Sequence, residues 1–315
     1  LGCDKNIADS EEMLGLLTGS GHEIVDSEEE AEAIVVNTCC FIHDAKEESI
    51  NTILEMAEYK KSGICQVLIV TGCMAQRYKE EIVQEIPEVD AVLGTTSYDD
   101  IVQALNEASA GKHFEEFKDI NSLPEDSGRR VITTGGHFGY LKIAEGCDKH
   151  CTYCIIPSLR GNFRSVPEER LLAQAEYMAS QGVKELILVA QETTVYGTDL
   201  YGKKTLHLLL RKLCQIKGIR WIRILYCYPE EIYDELIQVM KEEKKICHYL
   251  DLPIQHCSDR ILKRMGRRTS KAQLVEIITK LRKEIPDIVL RTSLITGFPG
   301  ETEEDHQELM EFVDE

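Results

Sequence analysis

The sequence predicts an α/β protein of two domains: an N-terminal open parallel α/β sheet domain followed by a parallel partial (β/α) barrel. Two observations carry that reading. Short apolar, β-branched runs of the kind buried on both faces of a parallel sheet alternate with stretches of helical period. The alternation breaks once, over residues 119–138, where Pro124, Gly128, Gly135 and Gly136 replace periodicity, and then resumes. The expected boundaries are therefore 1–118, a linker at 119–138, and 139–315. At 315 residues with 43% hydrophobic composition, the chain is long enough to bury the cores of two domains.

In the first domain Ala33-Ile34-Val35-Val36-Asn37 and Gln66-Val67-Leu68-Ile69-Val70-Thr71 read as strands, with a helix over 45–61 between them. A third strand, Ala91-Val92-Leu93-Gly94, and a helix over 98–110 complete it. Cys39 follows the first strand and Cys73 the second, while Cys3 stands where a strand preceding the sequence would end. All three thus lie at carboxyl ends of strands, which in an open α/β sheet face one crevice, so cysteines far apart in sequence can converge on one ligand. The alternative for each is a small buried residue. Cys65 precedes its strand and belongs at the opposite edge.

From Gly139 onward strands are expected at 140–145, 185–190, 221–226, 248–252 and 288–294. Helices are expected near 167–181, 205–216, 229–243, 258–265, 270–284 and 301–315, which together describe a parallel barrel or part of one. Functional residues in such a fold sit just after strand ends. That rule selects Gln191, Glu192 and Thr193; Tyr226 and Tyr228; Gln255 and His256; and Arg291, Thr292 and Ser293. Packing at the mouth is the competing role for the tyrosines, and a structural hydrogen bond for His256. Arg291 is suited to clamp a carboxylate bidentately or to form a salt bridge within the fold. The run Gly297-Phe298-Pro299-Gly300-Glu301-Thr302 combines turn residues with a helix start capped near Glu301 or Thr302. Arg160 and Arg164 are candidate substrate or sulfonium-side contacts, with solvated surface as the alternative.

The densest chemical signal is Gly146-Cys147-Asp148-Lys149-His150-Cys151-Thr152-Tyr153-Cys154, three cysteines directly after a strand. Structural zinc favours four ligands in two short pairs, and only His150 stands near enough to add to these three. A cubane iron–sulfur cluster normally has four cysteine ligands, so three leave one iron open to another ligand. Zinc and unliganded buried thiols are the weaker readings.

The chain carries twelve cysteines and no secretory signal, which points to metal or redox ligation in a reducing compartment rather than to disulfides. A cytoplasmic location is expected. No apolar run reaches the length of a membrane span. Neither a basic n-region nor an h-region follows Leu1, and both ends read as truncated, the last residues stopping within a helical pattern. Of the net charge of −19, residues 1–118 carry −17. Such an acidic surface repels phosphate backbones and attracts basic partners, unless it serves only solubility. The Glu28-Glu29-Glu30 run reads as surface.

The spacing of Cys147, Cys151 and Cys154, with Tyr153 before the third, resembles the radical S-adenosylmethionine enzymes. The resemblance implies a [4Fe-4S] cluster whose open iron chelates S-adenosylmethionine, an electron from an external donor, and a 5′-deoxyadenosyl radical that abstracts hydrogen from unactivated carbon. The second domain is then a radical-SAM partial barrel. Tyr153, Gln191, Glu192, Gln255 and Arg291 are the expected S-adenosylmethionine contacts; no catalytic residue is assigned.

Across nearly the whole chain, Leu1-Gly2-Cys3-Asp4-Lys5-Asn6, Asn37-Thr38-Cys39, Gly72-Cys73-Met74-Ala75-Gln76-Arg77-Tyr78 and Gln255-His256-Cys257-Ser258-Asp259 are similar to motifs of the methylthiotransferases. That family binds a second cluster through three separated cysteines. Carried over residue by residue, Cys3, Cys39 and Cys73 would hold the auxiliary cluster, and Cys147, Cys151 and Cys154 the radical cluster. Asp4-Lys5-Asn6 and Thr193-Thr194-Val195-Tyr196-Gly197 resemble the RimO-type branch, which modifies the β-carbon of an aspartate in protein S twelve of the small ribosomal subunit. Departures are Glu192 where the branch has Asp, Val195 where it has a basic residue, and Cys40 where it has Gly. The family's C-terminal TRAM domain is absent from this sequence. The rival readings are a MiaB-type transfer-RNA adenosine methylthiotransferase and, in another class, a two-cluster electron carrier, for which polar residues at a barrel mouth would have no purpose.

Overall fold

The computed structural model describes residues 1–125 and 128–314. Asp126 and Ser127, inside the expected linker, and Glu315, at the end of the expected last helix, lie outside the described residues. The chain divides into two units, Leu1–Thr133 with Ile155–Asn162, and Thr134–Cys154 with Phe163 and the residues after it. The expected linker is thus shared between the units. The eight residues 155–162, which follow the three-cysteine loop, pack with the first unit although sequence order assigned them to the barrel.

The first unit runs α1 (Asp4–Gly19), β1 (Ala33–Thr38), α2 (His43–Ser62), β2 (Val67–Gly72), α3 (Cys73–Glu85), β3 (Ala91–Leu93), α4 (Ile101–Ser109) and β4 (Phe114–Glu116). Its strands form one parallel sheet in the order β1-β2-β3-β4. Central β2 is buried along its whole length, as a sheet covered on both faces requires. Ile101, Ala104, Leu105 and Ala108 give α4 an apolar stripe at helical spacing, which packs with Val67, Ile69, Ala91 and Leu93.

Several elements escaped the sequence pattern, among them β4, α1 and α3. Strand β4, Phe-Glu-Glu, is only half-buried at the sheet edge and shows no apolar run. Helix α1 buries carboxylates rather than an apolar stripe. Glu11 accepts from Arg130 Nε at 2.7 Å and Thr133 N at 2.7 Å, and Glu12 accepts from Tyr98 Oη at 2.9 Å.

The second unit begins with β5 (Phe138–Lys142) and β6 (Ala144–Glu145). The chain then passes through α5 (Ile156–Arg160), which belongs to the first unit. It returns in β7 (Arg164–Ser165), α6 (Glu168–Ser180), β8 (Glu185–Val189), α7 (Thr198–Tyr201), α8 (Leu206–Gln215), β9 (Trp221–Ile224), α9 (Asp234–Glu242), β10 (Ile246–Asp251), α10 (Asp259–Arg264), α11 (Lys271–Glu284), β11 (Val289–Arg291) and α12 (Glu303–Asp314). Five of these strands pair in parallel in chain order, β5-β8-β9-β10-β11, and β6 pairs antiparallel with β7. This is the partial barrel the alternation predicted. Leu206, Leu209, Leu210 and Leu213 of α8, and Leu236, Val239 and Met240 of α9, form the buried faces of its helices. Helix α12 is capped as expected: Thr302 Oγ1 accepts from Asp305 N at 3.4 Å, and Thr302 N donates to Asp305 Oδ2 at 3.0 Å.

Candidate functional site

In the first unit, Cys3 is the N-cap of α1, Cys39 follows β1, and Cys73 opens α3 at the end of β2. Gly72 makes the turn with φ +92 and ψ −160, a conformation almost confined to glycine. A Cβ at Gly72 would stand 2.3 Å from Asn37 Oδ1 and 2.5 Å from the Thr38 carbonyl, so the two strand ends touch there. A Cβ at Gly2 would lie 2.6 Å from Cys39 Cβ, which brings the Cys3 segment against Cys39. Ser49 Oγ accepts from Cys39 N at 3.0 Å and donates to Cys39 O at 2.9 Å, fixing that turn. Burial pushes the Cys73 thiol up, Arg160 beside it acts in the opposite direction, and Cys3 and Cys39 add like-charge repulsion. The neighbouring Cys40 thiol is pushed up to about 11, mainly by burial, and lies 3.3 Å from the Cys73 carbonyl.

In the second unit, β6 leads into the three-cysteine loop. Phe163 N donates to Asp148 Oδ1 at 2.9 Å, Thr152 N to Met265 O at 3.0 Å, and Cys154 N to Cys151 O at 3.0 Å, which hold the loop in shape. His150 adopts φ +50, a strained conformation for a residue with a side chain. Cys147 and Cys151 are buried and Cys154 half-buried. The Cys147 thiol is pushed up to about 11 by burial, with Glu192, Cys154 and Cys151 as like-charge neighbours.

Among the described residues no three His, Cys, Asp or Glu side chains close around a single metal ion. A four-iron cubane spreads its cysteines more widely than one ion does, and two sets of three cysteines whose thiolates would repel one another are a donor set that bound iron would neutralise.

Tyr228 Oη lies 3.9 Å from Cys151 Sγ, and Lys149 Nζ and the Arg267 guanidinium stand 5.1 Å and 4.2 Å from the Tyr228 ring centroid. Tyr153 meets the Phe298 ring edge-on at 6.4 Å, which connects the glycine-rich turn to the cysteine loop. Glu192 is buried, accepts from Thr194 N at 3.1 Å, and has its carboxyl pushed up to about 8 by burial. Gln191 Oε1, Glu192 Oε2, Arg267 Nε and Arg267 Nη1 have no hydrogen-bond partner among the described residues. Buried polar atoms of this kind suit a polar ligand.

The remaining candidates divide by role. Gln255 has φ +68 and donates its N–H to Ser293 O at 3.0 Å. Arg291 Nη1 donates to Asp251 Oδ1 at 2.6 Å, so its salt-bridge role is present in the fold. Asp251 also accepts from Tyr226 N at 3.3 Å, and Tyr226 has φ +59. Thr193 Oγ1 donates to Leu225 O at 2.8 Å, and Thr292 Oγ1 to Leu252 O at 2.9 Å, both structural. His256 Nδ1 accepts from Ser258 N at 3.0 Å. Arg164 lies in β7, opposite Glu145. Arg160 departs from expectation: it is 2% exposed and packs inside the first unit. Sequence reasoning missed Asp251, although a lone carboxylate ending a buried strand marked it. It also missed Arg267, which its neighbour Arg268 equals in type and only packing distinguishes.

The model of the Radical SAM superfamily matches residues 141–313, and that of uncharacterized protein family UPF0004 matches residues 1–94. The ribosomal protein uS12 methylthiotransferase RimO of Lachnoclostridium phytofermentans is 71% identical over 99% of this chain and 71% of its own length. The RimO of Clostridium botulinum strain Eklund 17B is 53% identical over 100% of this chain and 71% of its own. The chain belongs to the RimO family. Among solved structures, the radical S-adenosylmethionine methyltransferase TsrM of Kitasatospora setae matches with a TM-score of 0.70 at 13% identity, over 99% of this chain and 68% of that one. OxsB, a cobalamin-dependent radical enzyme, matches with a TM-score of 0.58 at 16% identity, over 95% and 44%. These two likenesses concern the fold alone. Membership of the radical superfamily implies S-adenosylmethionine and a [4Fe-4S] cluster for this RimO chain. No helix among its described residues is long and apolar enough to cross a membrane.

Proposed function

We propose that this RimO-family chain is the transferase that adds a methylthio group to the β-carbon of an aspartate in ribosomal protein uS12. Identity of 71% across essentially the whole chain to a uS12 methylthiotransferase carries the reading. Cys147, Cys151 and Cys154 would hold the radical cluster, and Cys3, Cys39 and Cys73 a second, auxiliary [4Fe-4S] cluster. Bound there, the radical cluster and S-adenosylmethionine supply the one-electron chemistry that removes hydrogen from unactivated carbon.

The chain's own residues supply position and shelter. Tyr153, Gln191, Glu192 and Gln255 would orient S-adenosylmethionine, and Arg291 would do so from a guanidinium already anchored by Asp251. Burial raises the Glu192 carboxyl to about 8, which favours its protonated, hydrogen-bond-donating form. Cys39, Cys73, Cys147 and Cys151 are buried, which would shelter bound clusters from solvent.

An external electron donor, a cytoplasmic location and a basic ribosomal partner complete the proposal. Mass spectrometry of ribosomal proteins and transfer RNA, from cells with and without the gene, tests it. Loss of the methylthio mark from uS12 is expected; loss of methylthio-adenosine from transfer RNA with uS12 unchanged would overturn the substrate.

A further inference from the structure

We propose that Arg160 is a positioning residue for the auxiliary cluster, its buried guanidinium holding the three cysteine-bearing segments of the first unit together. The inference rests on the ligand set Cys3, Cys39 and Cys73 proposed above. Arg160 ends the short helix α5 and is almost completely buried. Its Nη1 donates to Asp9 Oδ2 at 2.9 Å and its Nη2 to Asn6 Oδ1 at 2.7 Å. Asn6 lies in the first turn of the helix that Cys3 caps, and its Nδ2 donates to the carbonyl of Thr38, the residue before Cys39, at 2.9 Å. Asn37, one residue further back, donates its Nδ2 to the Asn6 carbonyl at 3.0 Å. Gly72, the residue before Cys73, stands against the same Asn37 and Thr38, where an added Cβ would lie 2.3 Å from Asn37 Oδ1 and 2.5 Å from the Thr38 carbonyl. Through Asn6, one side chain is therefore linked to the segments of all three cysteines.

A planar fork with five donors can make these contacts at once, whereas a lysine ammonium is a single point charge. Asp9 holds the fork in place, since a buried guanidinium without a counter-charge would be costly. Charge and hydrogen bonds at the sulfurs are among the levers that set a cluster's reduction potential. A buried cation among the ligand-bearing segments favours the more negative, reduced state, and so raises that potential.

The test uses the full chain with Cys147, Cys151 and Cys154 all replaced by Ala and reconstituted anaerobically, so that only the auxiliary cluster is read. The readouts are iron per chain, midpoint potential, rate of iron loss to a chelator, and circular dichroism as a check of folding. Cys73→Ala in this background is expected to bind no cluster; cluster loading equal to its parent's would reject the ligand set, and this inference with it. Arg160→Gln is expected to shift the potential to more negative values and to lose iron roughly tenfold faster, from the lost charge-assisted hydrogen bond. Arg160→Lys, which keeps the charge but not the fork, is expected to hold the potential near that of the parent yet still lose iron faster. A folded Arg160→Gln with the parent's potential overturns the role. If Arg160→Gln does not fold, Arg160→Lys decides, and iron loss at the parent's rate overturns it equally.

Discussion

Thr38 Oγ1 donates to the Thr71 carbonyl at 2.5 Å, joining the ends of β1 and β2 immediately before the turns that present Cys39 and Cys73. The same hydroxyl accepts from Ala75 N at 3.3 Å, so one buried side chain ties two strands to the first turn of α3. Gly72, paired with Thr38 in the ladder, is where this arrangement is least tolerant. Gly72→Ala combines a glycine-only conformation with a backbone clash and is expected to cost about 2 kcal/mol or more. Chemical denaturation of the metal-free chain measures it; a cost below about 0.5 kcal/mol would contradict the geometry.

Iron content checks the two proposed clusters. Anaerobic reconstitution should give about eight irons per chain, and replacing Cys147, Cys151 and Cys154 together by Ala should leave about half. Full retention, or loss of all iron from a folded chain, would reject two separate sites.

The two sets of cysteines should also separate by chemistry. Replacing Cys39 and Cys73 by Ala is expected to leave cleavage of S-adenosylmethionine to 5′-deoxyadenosine intact while ending methylthiolation. Cys147→Ala should abolish the cleavage itself. Chromatography of the nucleoside product distinguishes the two, and 5′-deoxyadenosine from Cys147→Ala would reverse the assignment.

Acid should loosen the second unit through Asp305. Hydrogen bonds from Ser258, Arg260 and Thr302 hold its carboxyl well below the usual carboxylate range. A group depressed on folding contributes stability above its unfolded value, near 4, and loses that contribution as pH falls toward the depressed folded value. Denaturation midpoints of the metal-free chain should therefore fall below about pH 4 more steeply than those of Asp305→Asn. Parallel pH slopes would exclude this residue as a source of acid sensitivity.

Charge on the first unit should speed encounter with a basic ribosomal protein. Glu28, Glu29 and Glu30 form an exposed 3-10 turn. Neutralising them is expected to slow association several-fold at low salt and hardly at all at high salt, because screening removes the attraction. Association rates measured across ionic strength decide it; a salt-independent effect would remove the electrostatic argument.

Strands β1, β2 and β8 were legible because buried parallel strands write themselves as unbroken apolar runs. The placement of Cys39 and Cys73 was legible because each directly follows an apolar run, the ones that form β1 and β2. Helix α1 was not, since Asp9, Glu11 and Glu12 look like a solvated face until Arg160, Arg130 and Tyr98 arrive from distant sequence to meet them. Arg160 itself was misread for the same reason. Its sequence neighbours are those of the three-cysteine loop, but its partners are those of the first unit.

Both main sheets add their strands in the order in which the chain is written, β1-β2-β3-β4 and then β5-β8-β9-β10-β11. During synthesis each newly emerging strand would find its neighbour already available, so neither sheet has to wait for a distant segment to fill a central position. Segment 155–162 breaks this sequence of events. Those residues complete the earlier unit only after the chain has begun the later one, and the buried charge of Asp9 gains its Arg160 partner only then. If the first unit's sheet folds during synthesis, its Asp9–Arg160 pair can form only after the loop that carries Cys147, Cys151 and Cys154 has been made.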